Sequence, residues 1–278
     1  MNKRKRRFHP LSIRRAKRKL SFLFEDVLDS VLGRRDELTP PRGKIFVGGQ
    51  DDFKKTGEEF LQYFRELGQL KPNERVLDVG CGIGRMAVPL TQYLDKRGSY
   101  DGFDIVADGI NWCRKKITPK YPHFHFQLAD VFNKKYNLHG KYRASEYHFP
   151  YEGESFDFVF LTSVFTHMLP QDMEHYFYEI TRTMKRGGRC FITFFLLNKE
   201  SLHLINAGRS IYDFKHEGRG FHTIDKTTPE SGVAYDEKFI RRLYERFRLT
   251  IAEPIHFGSW CGRENSLGYQ DIIIAAKK

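Results

Sequence analysis

The feature that most constrains this chain is the run Val76-Leu77-Asp78-Val79-Gly80-Cys81-Gly82-Ile83-Gly84-Arg85. A short apolar stretch ends in an acid, and three glycines then alternate with other residues. A strand that ends this way turns sharply and brings its backbone against a ligand. Glycine is required there because a Cβ would obstruct both the turn and the approach.

Beyond the loop, the chain has the rhythm of a doubly wound sheet. Strand-like runs occur at 75–79, 100–104, 124–128, 156–161 and 189–196, with amphipathic helices expected in the gaps. One helix is expected over 170–185, with Met173, Phe177, Ile180 and Met184 facing inward and Gly187-Gly188 ending it. Alternation of this kind predicts a parallel sheet covered by helices on both faces. Two further strand-like runs, 247–256 and 269–276, have no helix between them and can pair antiparallel. Pro254 places the first of them at an edge, because proline cannot donate to a ladder. Ahead of the loop, Asp51 or Asp52 is a candidate cap for a helix with Phe53, Gly57, Phe60, Leu61, Phe64 and Leu67 on one face.

The chain of 278 residues carries a net charge of +12. Ten basic residues and no acid lie within residues 1–19; removing these ten leaves 37 basic against 35 acidic side chains. The basicity therefore belongs to the tail. A nucleic-acid enzyme spreads positive charge over its binding face, and the body shows no such excess. Leu20, Phe24, Val27, Leu28 and Val31 follow at helical spacing. A basic segment leading into an amphipathic helix suits an anionic membrane surface, so residues 1–32 are read as a peripheral membrane contact. Glu25, Asp26 and Asp29 interrupt the apolar stretch and argue against a secretory signal. No apolar run reaches the length of a membrane span. Cys81, Cys113, Cys190 and Cys261 form no CxxC pair, which fits a reducing cytoplasm and suggests neither a zinc site nor a disulfide framework. The expected organisation is a basic tail at 1–19, an amphipathic helix and a Pro-Pro-marked linker over 20–51, and one α/β domain over 52–278. An insertion at about 197–234 is expected to form a lid.

The glycine register separates two nucleotide-binding patterns. The dinucleotide fingerprint G-x-G-x-x-G would need a third glycine at Arg85; here it stands at Gly84 and Asp78 precedes the loop. With these residues the chain resembles class I S-adenosylmethionine-dependent methyltransferases, and SVFTHM…GGRCFITFFLLN from Ser163 to Asn198 is similar to type 11-like bacterial members. The resemblance spans about residues 52–278. It implies a Rossmann-like seven-stranded sheet of five parallel strands plus a C-terminal antiparallel pair. It also implies S-adenosylmethionine as cofactor, held by Asp78, Gly80, Gly82 and Gly84 of the loop. Asp104 would take the ribose hydroxyls, with Ile105 on the adenine face. Asp130 would take the adenine amino group, Val131 would supply a backbone N–H, and Ser163 would meet the methionine end.

Methyl transfer to a hydroxyl requires alignment and removal of a proton. His167, beyond the fourth strand, is the candidate general base, because an imidazole titrates in the working range. No Asn/Asp-Pro-Pro-aromatic motif, cysteine nucleophile or acidic metal cluster can be picked out after strand four, so no metal is expected. The 197–234 insertion holds Asn198, His203, Asn206, Arg209, Tyr212, Phe214, His216, Phe221 and His222, a mixture suited to a small polyhydroxylated or glycan acceptor; Trp260 is a further candidate. The leading reading is O-methylation of a saccharide, glycolipid or similar small molecule. The alternatives are an RNA methyltransferase anchored by the tail and a non-catalytic cofactor-binding scaffold.

Overall fold

A computed structural model describes residues 21–22, 24–33, 35–46 and 53–278. The basic segment 1–19, Leu20 and the expected cap at Asp51 or Asp52 lie outside them. In chain order the elements are α1 (Phe53–Glu66), β1 (Arg75–Val79), α2 (Ala87–Leu90), β2 (Ser99–Asp104), α3 (Ala107–Lys116), β3 (Phe124–Leu128), β4 (Phe156–Leu161), α4 (Pro170–Thr183), β5 (Met184–Phe194), β6 (Leu196–Leu197), α5 (Lys199–Asn206), β7 (His216–Gly218), β8 (Phe221–Thr223), β9 (Val233–Asp236), α6 (Glu237–Arg246), β10 (Leu249–Ile251) and β11 (Asp271–Lys277).

The main sheet runs β3-β2-β1-β4-β5-β11-β10. The first five strands are parallel; β11 is antiparallel to both neighbours, between β5 and β10. The expected seven-stranded α/β sheet is therefore present. Its central strands bury both faces, which is why they read as continuous apolar runs. Alternate side chains serve two separate cores: Leu77, Val79, Val159 and Leu161 pack with Met173, Phe177 and Ile180 of α4. Val76, Phe158 and Phe160 pack with Phe53 and Phe64 of α1 and with Ile110 and Cys113 of α3. The order reverses at β1, whose two neighbours are β2 and β4, and open sheets bind ligands at such a point, beyond the carboxyl ends of the strands.

Several elements differ from the sequence reading. Helix α4 ends at Thr183, and Met184 is already extended. Gly187 and Gly188 lie inside β5, where pairing slips from Phe156–Met184 to Phe158–Arg189, and Gly187 takes φ +73° to form the bulge. The run 247–256 yields only the three-residue β10, because the chain leaves the ladder around Pro254; His256 rejoins it opposite Ile272. The edge position implied by Pro254 holds. No α-helix fills the connection from β3 to β4, which carries only a short 3-10 turn at Ala144–Glu146. Finally, the insertion contains a second sheet, β6-β9-β8-β7, with α5 beside it.

Candidate functional site

The apolar run of β1 delivers Asp78 to the sheet's carboxyl edge, and the glycines then turn the backbone back. Gly80, Gly82 and Gly84 take φ of +86°, +57° and +81°, a region that side chains rarely occupy. The amides of Gly80 and Cys81 both donate to the Phe103 carbonyl, at 2.9 and 3.0 Å, tying the turn to β2. A Cβ on Gly80 would sit 2.5 Å from Val164 Cγ2, so the loop and the post-β4 segment meet closely.

Asp104, at the end of β2, accepts Gly82 N–H on one carboxylate oxygen and Val106 N–H on the other, each at 2.8 Å. Each oxygen keeps a lone pair for a further donor. Burial pushes this carboxyl up from its ordinary value, against the pull of those amides. Asp78 is more extreme. Tyr100 donates its hydroxyl to Oδ2 at 2.6 Å, whereas Oδ1 is buried with no partner. Burial raises this carboxyl to about 8.

The loop opens onto a cavity of about 940 Å³. Of the residues singled out in the sequence, Asp78, Gly80, Gly82, Asp104, Ile105, Val131, Ser163 and His167 line it. Gly84 and Asp130 do not. A Cβ on Gly84 would meet Cys113 Sγ at 2.9 Å and Ile117 at 3.1 Å, so this glycine serves the packing of the turn on α3. Asp130 is exposed, and its carboxylate and carbonyl accept the amides of Lys141 and Tyr142, folding the 129–142 loop back on itself. The insertion contributes Tyr212 and Phe214 of its nominated residues; Asn198, His203, Asn206, Arg209, His216, Phe221 and His222 are not on the cavity wall. Asn198 instead caps α5 with its side chain. Trp260 is likewise off the wall: it packs behind Phe195 and Phe214 and donates Nε1–H to the buried Asp271 at 2.7 Å.

Beyond β4, Ser163 has φ +60°, unusual for a side-chain-bearing residue and stored where the chain turns toward the cavity. Its amide donates to Thr193 Oγ1 at 2.8 Å and its hydroxyl to Gln270 Oε1 at 2.9 Å, coupling the turn to β5 and to the start of β11. The short helix Phe165–His167 follows. His167 Nδ1 lies 2.9 Å from the Glu230 carbonyl oxygen. A carbonyl only accepts, so Nδ1 carries the proton and Nε2 is left as the base. Burial is the main cause holding this imidazole below its ordinary 6.5, which keeps it neutral at pH 7. Nearby, Thr166 Oγ1 and Glu230 Oε2 are buried without partners, and both residues line the cavity.

Several wall residues escaped the sequence reading: Phe46, Tyr63, Lys135, Asp172, Tyr176 and Gln270. The β3–β4 connection, source of Phe132 to Tyr136 and Arg143, carried one legible sign. Asn133 is followed by a polar run and then Gly140, and its side chain does accept the amides of Lys135 and Tyr136 in a tight turn. The other residues have no local mark, since only the fold brings them to the wall.

Comparison with known proteins matches residues 77–192 to the family described as "Methyltransferase domain". Phosphoethanolamine N-methyltransferase 3 of Arabidopsis thaliana is 23% identical over 235 residues, covering 82% of this chain and 43% of that protein. Methyltransferase GfsG of Streptomyces halstedii is 26% identical over 145 residues, 51% of this chain and 45% of its own. The chain thus spans less than half the length of these curated relatives. Among solved structures, the PH0226 protein of Pyrococcus horikoshii OT3 superposes with a TM-score of 0.56 at 16% identity, covering 84% of this chain and 95% of that one. At that identity the likeness is one of fold.

Proposed function

Because this chain carries a class I S-adenosylmethionine-dependent methyltransferase domain, we propose that it methylates a hydroxyl of a small acceptor, a saccharide or glycolipid, without a metal and with His167 as general base. S-adenosylmethionine is the cofactor of this domain class. The residues present fit it: Asp78 offers a buried oxygen without a partner, Asp104 retains lone pairs on both oxygens, and the glycine cradle would close if Gly80 bore a Cβ. Asp104 would hold the ribose, Ile105 would pack on the adenine face, Val131 would offer its backbone N–H, and the Ser163 turn would meet the methionine end. When bound, the cofactor supplies an electrophilic methyl group on a positively charged sulfur.

The chain's own contribution is positioning and proton removal. The observation that carries the reading is the His167–Glu230 arrangement. The carbonyl selects the tautomer, burial keeps the ring neutral, and Nε2 can accept the proton an acceptor hydroxyl must lose. The unpartnered Thr166 hydroxyl and Glu230 carboxylate oxygen supply hydrogen-bonding groups beside that base, and Tyr176, Tyr212 and Phe214 supply ring surface. Buried polar atoms without partners are costly, and a polyhydroxylated ligand is of the chemistry that satisfies them.

Incubation with methyl-labelled S-adenosylmethionine and a host-cell extract, followed by separation into lipid/glycan, nucleic-acid and protein fractions, tests the acceptor. Label in lipid or glycan supports the reading, and label in RNA overturns it. His167→Ala tests the base: S-adenosylhomocysteine affinity should persist while turnover falls by about 10²-fold or more. Full turnover in that variant removes the assignment. The likeness to a phosphoethanolamine N-methyltransferase over 82% of this chain favours a second reading, methylation of a small amine; identifying the labelled atom in the product separates nitrogen from oxygen.

A further inference from the structure

The segment ahead of the domain divides its apolar residues between two destinations. Leu38 and Phe46 pack against the core shared with α1 and α3, and Ile45 is buried in it. Residues 24–31 are helical, and Phe24, Val27, Leu28 and Val31 form a stripe on this helix that Leu32 extends. These five side chains remain exposed, Phe24 at 70% and Val31 at 79%. Soluble surfaces carry isolated apolar side chains without consequence, but a contiguous stripe of five marks an interaction site.

The acids of the same helix are held by arginines. Asp26 pairs with Arg35 and with Arg42, the latter at 3.0 Å, Asp29 pairs with Arg42 at 2.6 Å, and Glu25 lies 3.7 Å from Arg42. The segment is tied to the body by Lys54–Asp36 at 2.7 Å and by Lys120–Glu37. The charge of the helix is thus compensated within the segment, and its exposed stripe is apolar. Ten basic residues stand at positions 3–19, immediately before it in the sequence.

We propose that the apolar stripe Phe24–Leu32, together with the basic residues 3–19, docks this protein on an anionic lipid surface. Charge complementarity selects this occupant. A second copy of the chain would add a second set of ten basic residues and no acid to neutralise them, so the composition of residues 3–19 gives nothing to favour pairing. An RNA phosphate backbone would use the cations but has no use for five aliphatic and aromatic side chains in a row. An anionic bilayer uses both: its headgroups attract the cations, and its interfacial zone takes the apolar face of a surface-lying helix. No described helix is long and apolar enough to cross a membrane, and the contact proposed is peripheral.

The test is cosedimentation of the full chain with vesicles of phosphatidylcholine plus phosphatidylserine, and with phosphatidylcholine alone. Binding should require phosphatidylserine and weaken with added salt. The triple variant F24Q/L28Q/V31Q should bind at least about tenfold more weakly, given the apolar area removed. Replacing Arg14, Arg15, Lys17, Arg18 and Lys19 by Gln should do the same through charge. Unchanged S-adenosylhomocysteine affinity in both variants would show the body intact. The proposal fails if the full chain ignores anionic vesicles or if the stripe variant binds them as well as the parent does. It also fails if transfer RNA is bound while vesicles are not, or if the stripe variant instead abolishes a dimer in a chain that never binds lipid.

Discussion

Gly80 has little latitude in this site. It combines φ +86° with a Cβ position 2.5 Å from Val164 Cγ2, so Gly80→Ala meets both backbone strain and a clash. The expected cost is about 2 kcal/mol or more of stability, read by urea unfolding, together with weaker S-adenosylhomocysteine binding by calorimetry. Asp104 acts through hydrogen bonds. Asp104→Ala would leave the Gly82 and Val106 amides without acceptors and remove the proposed ribose contact; affinity should fall by about tenfold to a hundredfold, and unchanged affinity would remove the ribose assignment. His167 makes a pH statement. Its imidazole is depressed below 6.5 by burial, so kcat/KM should show its acidic limb below pH 6.5, falling as the base protonates, with a plateau at neutrality. A limb well above that value would point to another group. The places of these residues on the cavity wall were legible because glycine at positive φ, acids at strand ends and a histidine in the post-strand segment each have a local reason. Asp130 was not legible: a strand-terminal acid looks the same in sequence whether it faces a cavity or, as here, the returning Lys141–Tyr142 backbone.

At the scale of elements, the packing of α1 on the main sheet is pinned by Arg189 of β5. Its guanidinium meets Glu74 through two bonds of 3.1 and 2.6 Å and donates Nε–H to the Gly68 carbonyl at 2.9 Å. One side chain therefore joins β5, the entry to β1 and the turn after α1. Arg189→Ala should cost about 2–3 kcal/mol in urea unfolding, because Glu74 would remain largely buried without its partner; a loss below about 0.5 kcal/mol would show the pair to be exposed enough for water to replace it. The strands that the sequence marked were those with both faces buried, since an apolar run needs no partner to be recognised. The small sheet of the insertion was missed for the opposite reason. Its strands are two to four residues long, too short for an alternation to repeat. The β3–β4 connection was expected to hold a helix on the βα rhythm alone. It holds none, because its backbone is committed to tight turns around Asn133 and Gly140, where a Cβ would lie 2.2 Å from the Phe132 amide.

Across the whole molecule, two buried carboxyls link the site to global stability. Asp78 is raised to about 8 and Asp271 to about 6, burial being the first cause for both. Asp271 accepts Leu196 N–H at 2.6 Å, Gly258 N–H at 2.7 Å and Trp260 Nε1–H, joining β11 to the turn behind the cavity. For an acid raised on folding, the native state holds the extra proton between the ordinary value of 3.8 and the folded value. The stability this provides is complete below about pH 4 and is lost as pH rises, through about 6 for Asp271 and about 8 for Asp78. Asp78→Asn cannot ionise, so its Tm relative to the parent, without ligand, should climb between pH 5 and 8. Parallel curves in calorimetry would contradict the buried, protonated Asp78.

The sequence by itself determined where the five parallel strands lie along the chain, the glycine turn at Asp78–Gly84 and the helix that packs Met173, Phe177 and Ile180 inward. It also determined the separation of a basic tail from a nearly neutral body. Each of these rests on periodicity, φ preference or composition, which a short window contains. Only the tertiary structure decided what surrounds the cavity. Phe46, Lys135, Tyr176, Glu230 and Gln270 converge there from five separate stretches. The tautomer of His167 depends on a carbonyl 63 positions away, and Trp260 became a wedge behind the wall because Asp271 was buried beneath it. Contacts of that kind depend on chain segments meeting through space, and no local pattern records which of them will meet.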